Sequence, residues 1–138
     1  MTDVASPDGR IAVVTGAAGF VGVNLVEALR SGGWSVRTFD LEPLAGIETH
    51  GIEHTVGDVR DHVALCAAFD GADVVFHLAA RITLSSVDPA AWDVNVSGPA
   101  VAAGAALDAG VSRFVHCSSV HAFDLSLARP RLDELSPR

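Results

Sequence analysis

Short apolar runs alternate with amphipathic stretches along this chain. Arg10 to Thr15 reads R-I-A-V-V-T, a β-branched run ending in glycine, as expected of a buried parallel strand. From Phe20 to Arg30, Val21, Leu25, Val26 and Leu29 recur at helical spacing between Asn24, Glu27 and Arg30, and Ser31-Gly32-Gly33 supplies a stop. A second strand, Trp34 to Phe39, ends at Asp40. A third is expected over Ile52 to Val56, followed by a helix from about Arg60 to Phe69. Ala72 to Leu78, A-D-V-V-F-H-L, reads as the most deeply buried strand, and Arg113 to Ser118 as the fifth. Asp88 to Gly110 is alanine-rich and helical in tendency, but Gly98-Pro99 interrupts it, and proline there removes a donor and crowds the preceding turn, so a kink or break is expected. Val120 to Arg138 is polar and predicts no element.

Strands alternating with helices imply an α/β fold: a Rossmann-type doubly wound parallel sheet of about five strands in three αβα layers, with ligand at the carboxyl ends of the strands where the winding reverses. The organisation expected is an extension over 1–9, one domain over 10–119, and a polar tail over 120–138.

The formal net charge of −8 disfavours nucleic acid as a partner, and no arginine cluster offsets it locally. No apolar run approaches the roughly 20 residues that cross a bilayer, and the acidic start lacks a basic and an apolar leader region. A cytoplasmic location is the expectation. Cys66 and Cys117 share no metal-type spacing and read as buried, reduced thiols, so neither zinc nor a disulfide is expected. Trp34 and Trp92 read as packing residues.

The candidate chemistry begins where the first strand ends, in Thr15-Gly16-Ala17-Ala18-Gly19-Phe20-Val21-Gly22. Glycines at 16, 19 and 22 suit a tight turn, close approach of backbone to phosphate, and close packing of helix on strand; the helix then presents free N–H groups to a pyrophosphate. Asp40 closes the second strand at about the 20-residue spacing where a carboxylate accepts the adenosine ribose hydroxyls. A 2′-phosphate would meet that carboxylate, so NAD is favoured over NADP, with Arg37 the nearest cation in sequence that could argue otherwise.

These residues resemble the extended short-chain dehydrogenase/reductase family of NAD-dependent epimerases, dehydratases and reductases, whose T-G-x-x-G-x-x-G loop this is. The resemblance continues in register. Gly57-Asp58-Val59 is similar to the family's adenine contact, with the Asp58 carboxylate on the exocyclic amine and Val59 against the ring. His77-Leu78-Ala79-Ala80 resembles the H-x-A-A segment that runs close to the cofactor. Asn95-Val96-Ser97-Gly98 resembles N-V-x-G-T, with Pro99 in place of threonine. Cys117-Ser118-Ser119 resembles the segment after the fifth strand whose second serine is catalytic. The resemblance implies a cofactor site of Gly16, Ala18, Gly19, Phe20, Val21, Gly22, Asp40, Asp58, Val59, Leu78, Ala79, Ala80, Asn95 and Ser118, with Ser119 catalytic and no metal. Plainer roles compete: Asp58 as a helix cap, Asn95 as a hydrogen-bonding partner of a neighbouring strand, the serines as strand terminators, and His77 as a satisfied, partly buried histidine.

In the family a tyrosine acts as general acid/base and a lysine lowers its pKa, in the pattern Y-x-x-x-K. This sequence has no tyrosine, and all nine of its basic residues other than histidine are arginine. The reading is therefore the NAD-binding portion of an epimerase, dehydratase or reductase that acts on a hydroxyl or carbonyl of a small-molecule substrate by hydride transfer. It ends before a sixth strand and a substrate domain, and binds cofactor without turnover by itself. The alternative is a non-catalytic dinucleotide-binding or sensing module. A fifth strand left as an apolar edge predicts poor solubility or pairing as a homodimer.

Overall fold

The computed structural model describes residues 9–83, 87–124, 126 and 132–138; residues 1–8 of the expected extension lie outside them. Strand β1 (Ile11–Thr15) leads into helix α1 (Phe20–Ser31) and β2 (Ser35–Asp40). After a long irregular connection come β3 (Glu53–Val56), α2 (His62–Phe69) and β4 (Val74–His77). The short helix α3 (Pro89–Trp92) passes through a π turn (Asp93–Ser97) into α4 (Gly98–Asp108), and β5 (Arg113–His116) completes the sheet. All strand pairs are parallel, in the order β3-β2-β1-β4-β5. The winding thus reverses between β1 and β4, and the expected doubly wound sheet is present.

The period-two alternation of the strands sorts side chains onto two faces. Ala12, Val14, Val36 and Val74 meet Val26 and Leu29 of α1 on one side. On the other, Val13, Phe39 and Val75 pack against Leu65 and Phe69 of α2 and the small stripe Ala102, Ala105 and Ala106 of α4. Each fully buried Phe or Leu contributes about 2–3 kcal/mol through this burial. Alanines on α4 let it lie close to both sheet and α2. No helix among the described residues is long and apolar enough to cross a membrane.

The expected interruption near Pro99 takes the form of the π turn, whose wider loop spans the residues just before the proline and lets α4 restart with Pro99 in its first turn, where no N–H is required. Helix α2 begins two residues later than the sequence pattern suggests, because Asp61 caps it by accepting from Ala64 N–H at 3.0 Å. Among its described residues the tail holds one short element, a 3₁₀ turn over Val120–Ala122. Three packing expectations are corrected. Cys117 is exposed and Cys66 only half-buried, both free thiols. Trp92 is 70% exposed, while Trp34 is half-buried beneath the Arg10 guanidinium, 4.3 Å from its ring centroid. Apolar sequence neighbours do not reveal which segments run at an edge, and Cys117 leaves the sheet on edge strand β5.

Candidate dinucleotide site

The carboxyl ends of β1, β2 and β4 form the crevice where the winding reverses. Thr15 is buried at the tip of β1, and the chain then turns through Gly16, whose φ of +70° is a left-handed conformation that glycine adopts freely. A Cβ at Gly16 would sit 2.6 Å from the backbone nitrogen of Ala79, so the loop after β4 passes directly against this turn. A Cβ at Gly22 would run into the Gly16 carbonyl and lie 2.6 Å from Ala17 Cα, which holds α1 tightly on the strand. Gly19 differs, since a Cβ there meets only the Gly16 carbonyl oxygen, at 3.3 Å, and otherwise looks into open space. Its backbone is extended, and neither a side-chain cap nor an acidic residue occupies the first turn of α1. The turn's N–H groups and the positive helix end therefore face a space suited to an anion. Phe20 and Val21 are exposed on its rim.

Asp40 joins this loop to β2. Its Oδ2 accepts from Ala18 N–H at 2.9 Å and its Oδ1 from Glu42 N–H at 3.0 Å. A carboxylate has about four acceptor positions, so two remain for hydroxyl donors. Arg37 lies an odd number of residues before Asp40 on the same strand, hence on the opposite face. Its guanidinium donates to the Asp70 carbonyl at 2.6 Å and pairs with Glu53 at 3.2 Å. No cation from Arg37 is offered beside Asp40.

Beyond β3, Asp58 is held by Arg60 through Nη2–Oδ2 at 2.6 Å and Nε–Oδ1 at 3.0 Å, while Nη1 of the same guanidinium reaches Asp93 at 2.6 Å. These hydrogen bonds hold the carboxyls of both Asp58 and Asp93 below the usual range and raise the arginine. Asp61, not Asp58, is the cap of α2. The Val59 side chain is 6% exposed and packs among Leu65 and Phe69, so what it presents toward the crevice is its main chain. Leu78 and Ala79 are half-buried along the β4 exit. Just beyond Ala80, Asn95 clamps Arg81, accepting from its N–H at 2.8 Å and donating to its carbonyl at 3.0 Å. Ser118 and Ser119 are exposed beyond β5. Ser119 Oγ accepts from His121 N–H at 3.2 Å and lies 3.3 Å from its Nδ1.

Arg60 and Arg81 were not singled out by sequence pattern, nor was any side-chain contact of Thr15 beyond its place in the loop motif. Of these, only the short spacing from Asp58 to Arg60 could have signalled a contact.

His77 is fully buried rather than partly so. Its Nδ1 lies 2.8 Å from Thr15 Oγ1, bridging the ends of β1 and β4, while Nε2 has no partner among the described residues. Burial, helped by neighbouring His116, pushes its pKa from 6.5 down to about 4. Between those values the unfolded chain binds a proton that the folded chain refuses. This contribution is thus fully present above about pH 6.5 and is lost as pH falls toward 4, by about 3 kcal/mol in all. Urea midpoints measured across that window should fall for the wild type and fall less for His77→Gln; parallel curves would remove His77 as the cause.

The parallel sheet, the glycine turn at its switch point and the open amino end of α1 define a Rossmann domain of the dinucleotide-binding class. The comparisons with known proteins specify it further. The family model for the NAD dependent epimerase/dehydratase family matches residues 12–137, and the chain belongs to that family. It is 41% identical over 112 residues to an L-arabinose 1-dehydrogenase (NAD(P)(+)) of Haloferax volcanii, covering 81% of this chain and 41% of the relative. The solved structure of an epimerase from Methanothermobacter thermautotrophicus matches with a TM-score of 0.82 at 31% identity, covering 97% of this chain and 42% of that one. MoeE5 in complex with UDP-glucuronic acid and NAD matches with a TM-score of 0.70 at 34% identity, over 78% of this chain and 36% of that one. The chain spans about a third to two-fifths of the length of curated relatives such as these.

Proposed function

We propose that this chain is the cofactor-binding portion of an NAD-dependent enzyme that oxidises, reduces or epimerises at a hydroxyl or carbonyl carbon of a small-molecule substrate. The observation that carries the reading is the crevice at β1, β2 and β4, where the open turn at Gly19 and the Asp40 carboxylate face one space from two adjoining strands. The residues fit the cofactor: Gly16 and Gly22 allow the close packing that shapes the cradle, Gly19 leaves room for phosphate, and Asp40 retains acceptor positions for ribose hydroxyls. When bound, NAD supplies the nicotinamide that exchanges a hydride with substrate carbon.

The remaining roles belong to the chain. The amides of Phe20, Val21 and their neighbours receive the pyrophosphate, while Ala18 N–H, engaged by Asp40, holds the loop in place beside it. Asp58, fixed by Arg60, accepts from the adenine amine, with the Val59 backbone beside it. Leu78, Ala79 and Ala80 pass along the cofactor with Asn95 holding their exit through Arg81. Ser118 borders the same space. Ser119, whose Oγ accepts from His121 N–H and lies 3.3 Å from its Nδ1, would turn its hydroxyl proton to a substrate oxygen and stabilise developing charge there.

The sequence holds no tyrosine and no lysine, so the acid/base pair of the family is not supplied by these residues and the chain by itself binds without turnover. That same absence is what favours the second reading, a dinucleotide-binding or sensing module. The exposed edge of β5 is where a further strand of a longer protein, or a second copy in a homodimer, would continue the sheet.

Calorimetric titration of the purified chain with NAD and NADP tests the cofactor role: NAD is expected to bind in one equivalent and NADP at least 10-fold more weakly. No heat with NAD would overturn the assignment. Separating enzyme from module requires the full-length protein incubated with NAD and a panel of sugar and sterol alcohols. Reduced cofactor, or an epimerised product without net reduction, appearing with one of them supports the enzyme, and binding with neither across the panel supports the module.

A further inference from the structure

On the outer side of the fold, away from the glycine turn, three ligand-type side chains meet where α2 and α4 pack. His62 and Cys66 are four residues apart on α2 and project from one face of it. Asp108 is the last residue of α4. His62 Nε2 lies 3.1 Å from Asp108 Oδ2, and Cys66 Sγ lies 3.8 Å from the same nitrogen. One ligand atom from each of the three residues falls within 4.8 Å of the others. We propose that His62, Cys66 and Asp108 form a binding site for a divalent transition-metal ion of the zinc type, with solvent as fourth ligand.

Geometry supports the proposal. An ion holding imidazole and carboxylate at about 2.0–2.1 Å and thiolate at about 2.3 Å spaces its tetrahedral ligands roughly 3.3–3.6 Å apart. The separations from His62 Nε2, 3.1 Å to Asp108 and 3.8 Å to Cys66, differ from that by a few tenths of an ångström, and the ligand atoms of Cys66 and Asp108 lie within 4.8 Å of one another, so side-chain rotation closes the set. The donor set also selects the ion. Thiolate and imidazole together favour zinc and cobalt over magnesium and calcium, which seek oxygen alone. Asp108 stands at the negative end of α4, which favours a bound cation, while His62 opens α2 at its positive end, so the two helix ends offset and the donor set carries the selection. Both His62 and Asp108 side chains are about half exposed, at 46% and 63%, so solvent can reach the open position.

Binding replaces the Cys66 S–H by a metal–sulfur bond and releases that proton to solvent; the S–H contact to the Ala105 carbonyl, 3.9 Å in the metal-free arrangement, is given up. The ion then ties α2 to α4. The i, i+4 spacing of His62 and Cys66 was visible in the sequence, but the third ligand lies far along the chain and only the fold supplies it.

The test is titration of chelator-stripped protein with Co²⁺, followed by Zn²⁺. One equivalent of cobalt should produce a thiolate-to-cobalt charge-transfer band with the visible absorption of four-coordinate cobalt, and zinc should abolish both. Zinc but not magnesium should raise the melting temperature. Cys66→Ser should remove the charge-transfer band, and His62→Gln and Asp108→Asn should each weaken affinity by at least about 10- to 100-fold, the range lost on removing mere supporting groups of metal sites. Cys117→Ser should bind as the wild type does. Circular dichroism of each metal-free variant establishes that it is folded; His62→Gln and Asp108→Asn alter exposed groups and carry the test should the half-buried Cys66 variant unfold. A wild type without a charge-transfer band, a band that depends on Cys117, or unchanged affinity in the folded His62 and Asp108 variants would overturn the proposal.

Discussion

Gly19→Ala is expected to weaken NAD binding by about 10- to 100-fold while shifting the melting temperature by only a few degrees. Of the three loop glycines it separates binding from folding. A methyl group at Gly16 would press on the Ala79 backbone and impose strain at a φ of +70°, and one at Gly22 would drive α1 off the strand. Either change damages the domain, so loss of binding in Gly16→Val, though expected, would not by itself identify a phosphate site. At Gly19 the backbone is extended, a conformation alanine adopts without cost, and the one near neighbour is the Gly16 carbonyl at 3.3 Å. The added methyl group points instead into the space assigned to the pyrophosphate. Overpacking of that kind costs about 1–3 kcal/mol, which corresponds to the range given. Calorimetry together with a thermal melt reads both quantities from one sample. Unchanged affinity in a folded Gly19→Ala protein would place the phosphate elsewhere.

The second large effect concerns the choice of cofactor. Asp40→Asn should lower NAD affinity by about 10- to 100-fold and bring NADP to comparable or better binding. Hydrogen bonds to a charged group contribute about 1.5–3 kcal/mol, and the ribose hydroxyls lose a charged acceptor in this variant. A 2′-phosphate simultaneously ceases to face a carboxylate. Asparagine is chosen because its carbonyl can still accept from Ala18 N–H, which keeps the loop tied to β2. Arg37 does not interfere, since it is turned to the other face and occupied by Asp70 and Glu53. The ratio of the two dissociation constants is the measurement. A variant that retains the wild-type ratio would dismiss Asp40 as the selector.

Much of the crevice could be read before the fold was known, and for identifiable reasons. The first strand runs straight into its glycines, Val21 to Leu29 carries a clear helical period, and Asp40 ends a strand at a fixed distance from the loop. Each is local, so each leaves a local signature. Contacts between distant segments leave none. Arg60 spanning Asp58 and Asp93, Asn95 clamping the backbone of Arg81, and Thr15 meeting His77 all depend on which loops the sheet brings together. Val59 follows Asp58 directly in sequence, yet its side chain turns into the core while the aspartate stays at the surface. Cys117 and Trp92 failed in the other direction, since their apolar surroundings in sequence mask positions at a sheet edge and on an outer helix face. The plainer role weighed for Asp58, the cap of α2, falls to Asp61 three residues on, which only the bond from Ala64 N–H reveals.

The π turn at Asp93–Ser97 absorbs about one extra residue between two helical segments. Successive residues of an α-helix are rotated by about 100°, so removing one residue from the turn would leave α3 and α4 in phase but move the residues of the turn itself to new bearings. Asn95 would leave the Arg81 backbone, and with it the path of Ala79 against Gly16 would lose its clamp. The angular bearing of one asparagine is thus set by an irregularity several residues long, and a deletion there reaches the crevice without altering any residue that lines it.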